Sequence, residues 1–146
     1  MSHVVALKVK INNLPALVAA ANELGGIFVK DKKEYGWFGT HVGDYPLPEG
    51  FTKEDLGKCS HVIALPGGKY EVGVVQLADG SYTLLHDFYG REGKKLEAAF
   101  GVGLKKLTQL YSVHRADLLA RSKGYKTQRI AGSNGSIKLQ VTGGSL

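Results

Sequence analysis

From Ser2 to Ile11 apolar and polar positions alternate loosely, with Val5, Leu7, Val9 and Ile11 set against Lys8, Lys10 and Asn12. A period of two predicts a strand with one buried face. Asn13 then suits a helix N-cap, and Pro15 falls near the first turn, where its missing N–H is harmless. Leu14, Leu17, Val18, Ala21 and Leu24 make a helical stripe that Gly25-Gly26 stops. Ile27-Phe28-Val29 predicts a second strand. Residues 30–58, rich in lysine, glycine and proline, predict a long surface excursion. Within it, Tyr35-Gly36-Trp37-Phe38 carries enough apolar surface to dock or to form a contact surface.

Three β-rich runs follow, Cys59–Leu65, Lys69–Leu77 and Ser81–Tyr89, separated by Pro66-Gly67-Gly68 and Ala78-Asp79-Gly80. Asp-Gly between alternating runs is a hairpin signal, so a three-stranded antiparallel meander is expected. From Lys94 to Arg121 the period becomes helical. Leu96, Phe100, Gly103, Leu107, Leu110, Tyr111, His114 and Leu118 fall on one side of the wheel, and Gly101 and Gly103 divide the stretch in two. Tyr125–Ile130 and Ser136–Val141 read as a last hairpin around Ser133-Asn134-Gly135, and residues 142–146 as a flexible tail. The order β-α-β, β-β-β, α-β-β predicts one α+β domain over 1–146, its helices packed on antiparallel sheet.

Composition narrows the class. A chain of 146 residues that is 43% hydrophobic and 22% charged is expected to fold as one globular domain. No apolar run approaches the ~20 residues of a membrane-spanning helix. The start, Met1-Ser2-His3-Val4-Val5, lacks a basic region followed by an apolar core, so no secretory signal is expected. Cys59 is the only cysteine, which excludes an internal disulfide and fits a reducing, cytoplasmic compartment. The net charge of +6 is uneven: residues 1–90 carry −2 and residues 91–146 carry +8. Such a basic half attracts polyanions, nucleic acid first among them, or an acidic protein partner.

Several segments, in order along the chain, resemble one family: Met1-Ser2-His3, Cys59-Ser60-His61-Val62-Ile63, Lys69 to Val74, Tyr82 to Tyr89, Leu107 to Tyr111 and Gly135 to Leu139. Together they are similar to the domain-of-unknown-function family 1257, which includes a hypothetical reading frame of algal and cyanobacterial plastid type and has members in bacteria and phages. The resemblance covers most of the chain outside residues 30–58. It implies a cytoplasmic, plastid-stromal or phage-infected-cell location, and it brings no activity, catalytic residue or cofactor with it.

Candidate chemistry depends on register. With Asp79-Gly80 as a two-residue turn, Gly73 faces His86 and Val72 faces Asp87; with Gly67-Gly68 as the earlier turn, His61 faces Val74. Glu71 and His86 then become diagonal neighbours beside the indentation at Gly73. A carboxylate beside an imidazole there is most ordinarily a cross-strand ion pair, and a carboxylate that orients the imidazole would make a general-base pair. Cys59 and His61, two apart on one strand with Asp87 two strands away, are metal-ligand types but too few for a site. His3 and His114 read as boundary or core residues. Neither a Walker loop nor a dinucleotide glycine pattern is present, and no cofactor is expected.

The basic half carries the stronger signal. Lys105, Lys106 and Arg115 project from the outer side of the long helix, and Arg121, Lys123, Lys126 and Arg129 gather around its end, with Tyr125 among them to stack a base. The residues therefore predict a non-catalytic binding or accessory protein engaging nucleic acid or an acidic partner. The alternatives are a homo-oligomeric assembly subunit using residues 30–58 and a small enzyme using Glu71 and His86.

Overall fold

In the computed structural model, which describes residues 2–143, only part of the first alternating segment is strand: β1, Val4–Ala6. Leu7 still donates its amide to the Leu84 carbonyl (2.8 Å), but Ile11 pairs with Tyr82 rather than with the next residue in step. Two extra residues therefore bulge out between them, and the strand expected from Ser2 through Ile11 is interrupted at Lys8-Val9-Lys10. The bulge leaves Val9 53% exposed while Ile11 returns to full burial.

Asn13 caps α1 (Leu14–Glu23) as its chemistry predicts, its side-chain oxygen accepting from the Ala16 amide at 3.0 Å. Gly25 ends the helix in the left-handed region, and β2 (Ile27–Val29) follows. The meander is β3 (His61–Ala64), β4 (Val72–Gln76) and β5 (Tyr82–Asp87). All pairings are antiparallel in the order β1-β5-β4-β3-β2, so β1 and β2 form the two edges. The protein is an α+β fold, with α2 (Gly90–Phe100) and α3 (Lys105–Ser122) after the sheet and a separate ribbon of β6 (Lys126–Ala131) and β7 (Ile137–Thr142). Of the tail expected at 142–146, Thr142 ends β7 and residues 144–146 lie outside the described residues.

The β3–β4 register is the expected one, His61 opposite Val74, but the β4–β5 register is not. Leu77 donates to the Ser81 carbonyl (2.7 Å) and Gly80 to the Leu77 carbonyl (3.0 Å), which makes Ala78-Asp79-Gly80 a three-residue loop with Gly80 at φ +87°. Gly73 consequently faces Leu85, not His86. A one-residue slip turns every β5 side chain over. The packing shows why this register wins. Leu84 joins Ile63, Val72 and Val74 beneath Leu17, Leu96, Phe100 and Leu107, while Leu85 joins Val4 and Val62 on the opposite face. The other register would have moved Leu84 out of the helix-covered core.

Residues 30–58 form that opposite layer. Tyr35 is only 3% exposed and lies flat on Gly73, where an added Cβ would come within 2.3 Å of the ring. Trp37, Phe51 and Leu56 pack around it. The sheet is thus sandwiched between three helices and this irregular layer.

Candidate functional site

The sheet chemistry dissolves once its partners are known. Glu71 stands on the face covered by residues 30–58, where it accepts from the Gly36 amide (2.8 Å) and from Lys32 Nζ (2.9 Å). His86 stands on the helix-covered face. The two side chains point away from each other through the sheet, so the Glu71/His86 pair expected from the sequence does not form. The indentation beside Gly73 is filled by Tyr35, whose hydroxyl is pushed up to about 12 by burial.

Cys59 and His61 also separate. Ser60 donates its amide to Val74 O (2.8 Å) while His61 is itself the partner of Val74, so two residues meet one and the alternation slips at the start of β3. Cys59 packs under residues 30–58, donates to the Lys32 carbonyl (3.2 Å) and has a thiol pushed up to about 11 by burial. A thiol held protonated is neither a nucleophile nor a ready metal ligand. His61 accepts from the Asp31 amide through Nδ1 (2.9 Å), and burial lowers its pKa. Asp87 is fully buried and accepts three backbone amides, from His3, Tyr89 and Phe38, which ties the N-terminal segment, the approach to α2 and the irregular layer to one carboxylate. Among the described residues no group of three His, Cys, Asp or Glu is placed to hold a metal ion.

The basic half is better ordered than its sequence suggests. Glu23 of α1 takes Arg129 in a fork, both contacts at 2.8 Å, and His114 at 2.9 Å. Those partners lower the Glu23 carboxyl from 4.5 to about 2, the Arg129 hydrogen bond being the largest cause. Asp117 accepts from Arg121 (2.9 Å) and from Thr127. At the other end of the ribbon Gln109 donates to Gly135 O (3.1 Å). The ribbon therefore lies along α3, and it is covered on one side only. Arg129 serves this docking; Arg121 pairs with Asp117 along α3, and its side chain is 63% exposed.

The remaining candidates stay available. Lys105, Lys106, Lys123 and Lys126 are exposed and pair with no carboxylate among the described residues. Lys138, which the sequence reading passed over, shares the uncovered ribbon face with Lys126, Gln128 and Gln140; its register opposite Ile130 was the signal that would have found it. At about 100° per residue, Lys105, Arg115 and Lys123 fall within roughly 80° of one another on the α3 wheel. Arg115 is steadied by Asn12 Oδ1 (2.9 Å) and borders a groove of about 440 Å³ walled by Asn13, Leu118, Leu119 and Ser122. Leu118, expected in the apolar stripe, is exposed there. Tyr125 is likewise exposed just after the helix.

No family model matches the chain, and neither a curated protein nor a solved structure matches it. No helix among the described residues is long and apolar enough to cross a membrane.

Proposed function

We propose that the protein is a non-catalytic binding module that engages an extended polyanion, nucleic acid first among them, along α3 and the outer face of the β6–β7 ribbon. The observation that carries this reading is the stripe of Lys105, Arg115 and Lys123, all three exposed among the described residues. It runs the length of α3, about 27 Å for 18 residues. Lys105 and Lys106 occupy the positive end of the helix dipole, where a cation costs stability instead of adding it. Their placement thus answers to something other than folding. Lys123, Lys126, Lys138 and the exposed Tyr125 extend the same positive potential past the helix end, with an aromatic ring free to stack. The resemblance to the domain-of-unknown-function family 1257 adds no activity to this reading. The second reading is a homo-oligomeric assembly subunit using residues 30–58: Tyr35 and Trp37 pack on the protein's own sheet, which leaves Phe38, Val42 and Leu47 as the exposed apolar side chains of that surface.

Fluorescence anisotropy with labelled single-stranded and duplex oligonucleotides, titrated over a range of salt, tests the proposal. The triple variant Lys105→Ala/Arg115→Ala/Lys123→Ala is expected to flatten the slope of log affinity against log salt by about 2–3 on duplex. The Tm should stay near the wild-type value. Lys53→Ala/Lys58→Ala, which alters charge in the irregular layer, should leave binding unchanged. Wild-type binding that is absent at low salt, or a triple variant indistinguishable from wild type, overturns it.

A further inference from the structure

Among the three cations along α3, Arg115 is the one held in a fixed direction. Its Nε donates to Asn12 Oδ1 (2.9 Å), which also accepts from the Tyr111 hydroxyl (3.1 Å). Tyr111 is buried, and its oxygen in turn accepts from the Asn12 amide (3.0 Å). Asn12 is itself held on both sides, because Ile11 exchanges two backbone bonds with Tyr82 (2.8 and 2.7 Å) and Asn13 caps α1. Tyr111 alone already ties Asn12 to α3, so the guanidinium is not needed for that. With Nε spent, the terminal nitrogens of Arg115 meet no partner among the described residues and present a planar fork of N–H donors set before anything binds.

The fork lines the groove of about 440 Å³ between the start of α1 and the last turns of α3, a size that takes one base with its sugar. The other walls differ in chemistry. Leu118 and Leu119 are apolar yet 39% and 51% exposed. Asn13 spends its side-chain oxygen on the Ala16 amide, which leaves its amide N–H donors. Ser122 spends its hydroxyl proton on the Leu119 carbonyl (2.7 Å), which leaves an acceptor. A phosphate has use for the donors alone, whereas a nucleobase has use for donors, acceptor and apolar walls together. We infer that the groove takes one unpaired guanine of a single-stranded nucleic acid, with Arg115 donating to O6 and N7 and Asn12 as the residue that positions it. Guanine sets two acceptors side by side for such a fork and carries an amine for Ser122. The base must be unpaired, because Arg115 is drawn back to Asn12 in the wall of a concavity and does not stand out to reach base edges within a duplex groove. Lys123, about 12 Å farther along α3, is left for a neighbouring phosphate. This inference rests on the polyanion reading and narrows it to single strands.

Anisotropy titrations use short labelled oligothymidylate strands, either plain or with one central guanine, 7-deazaguanine, cytosine or adenine. The guanine strand should bind about tenfold more tightly than the plain strand. 7-Deazaguanine, which lacks the N7 acceptor, should lose most of that gain, and pairing each strand with its complement should erase the preference. Arg115→Lys keeps the charge without the fork, and Asn12→Ala frees the fork from its direction. Both should bring the guanine strand to the affinity of the plain strand while plain-strand affinity and its salt slope stay near wild type. Lys123→Ala should weaken both strands alike. Cytosine or 7-deazaguanine bound as tightly as guanine, or an Arg115→Lys variant that keeps the preference, overturns the inference. Salt-dependent binding with no preference for guanine also overturns it and leaves the polyanion reading standing, whereas absence of binding to every strand overturns both.

Discussion

His86→Leu removes the two orphan nitrogens and keeps most of the side-chain volume, so its effect should depend on pH in a calculable way. Burial, the main cause, holds the folded-state pKa down at about 4 against an ordinary 6.5, with neighbouring Asp87 pulling the other way. Above pH 6.5 the ring is neutral in both folded and unfolded chains, and titration contributes nothing. As the pH falls below 6.5 the unfolded chain takes up a proton that the folded protein refuses until about pH 4. Wild-type stability is lost across that window, by roughly 3 kcal/mol at its lower end. The leucine variant has no such loss. Urea unfolding followed by circular dichroism at pH 7.5, 6.0, 5.0 and 4.0 should show the variant equal to or more stable than wild type at pH 7.5, because burying an unpaired polar group costs about 1–3 kcal/mol. The gap should then widen by roughly 2–3 kcal/mol towards pH 4. Glu23, Glu92, Asp117 and His61 titrate in both proteins and cancel in the difference. Parallel stability curves would refute the reasoning, for they would mean that His86 has a proton-accepting route to solvent in the folded state.

Gly73→Ala places a Cβ 2.3 Å from the Tyr35 ring and should lower stability by about 1–3 kcal/mol in urea unfolding, with Tyr35→Ala in the same chain restoring part of the loss. Additive losses in the double variant would show that the ring does not rest on the strand. Glu23→Gln removes the carboxylate shared by Arg129 and His114, so ribbon amides should exchange faster with solvent while those of β4 and β5 keep their protection. In wild type the same ribbon protection should be present above pH 4.5 and fade as the pH falls from 4.5 towards 2, because the folded-state carboxyl is depressed; a pH-independent ribbon would sink that assignment.

How much of this the sequence could tell depended on how local each determinant is. The Asn13 cap, the Gly25 stop and the final hairpin around Ser133-Asn134-Gly135 rest on residues a few positions apart, and each formed as expected. The meander formed too, but Asp79-Gly80 suits both a two-residue and a three-residue loop. The choice fell to Leu84 and Leu85, whose destinations depend on packing partners far away in the chain, the three helices for Leu84 and residues 30–58 for Leu85. The Glu71/His86 pairing failed for that reason alone. The Ser60 slip at the entry to β3, which parted Cys59 from His61, has no mark in the sequence. Asp117 and Arg121 could be read as a helical pair at i, i+4, whereas the Glu23–Arg129 fork joins residues 106 apart. Gly73 in mid-strand was a visible sign of a close approach; which ring approaches was not.

The carboxylates of the sheet are committed to holding the irregular layer. Glu71 and Asp87 bind backbone amides of the irregular layer, and His61 accepts from its Asp31 amide. Each has its hydrogen-bonding capacity taken up in holding residues 30–58 against strands that would otherwise expose Val62, Leu85 and Gly73. A reacting substrate would have to displace that layer to reach the two carboxylates. Arg129 is engaged in the same structural way between α1 and the ribbon, whereas Arg121 pairs along its own helix with Asp117. What remains without an internal purpose among the described residues is a row of cations on α3 and the ribbon, set partly at the helix end where they are least favoured, together with two buried groups that meet no partner, the Tyr35 hydroxyl and the His86 ring. Charge that folding does not use is a reason to look outward, to a polyanion, whereas the two buried groups have no accessible surface through which an outside partner could reach them.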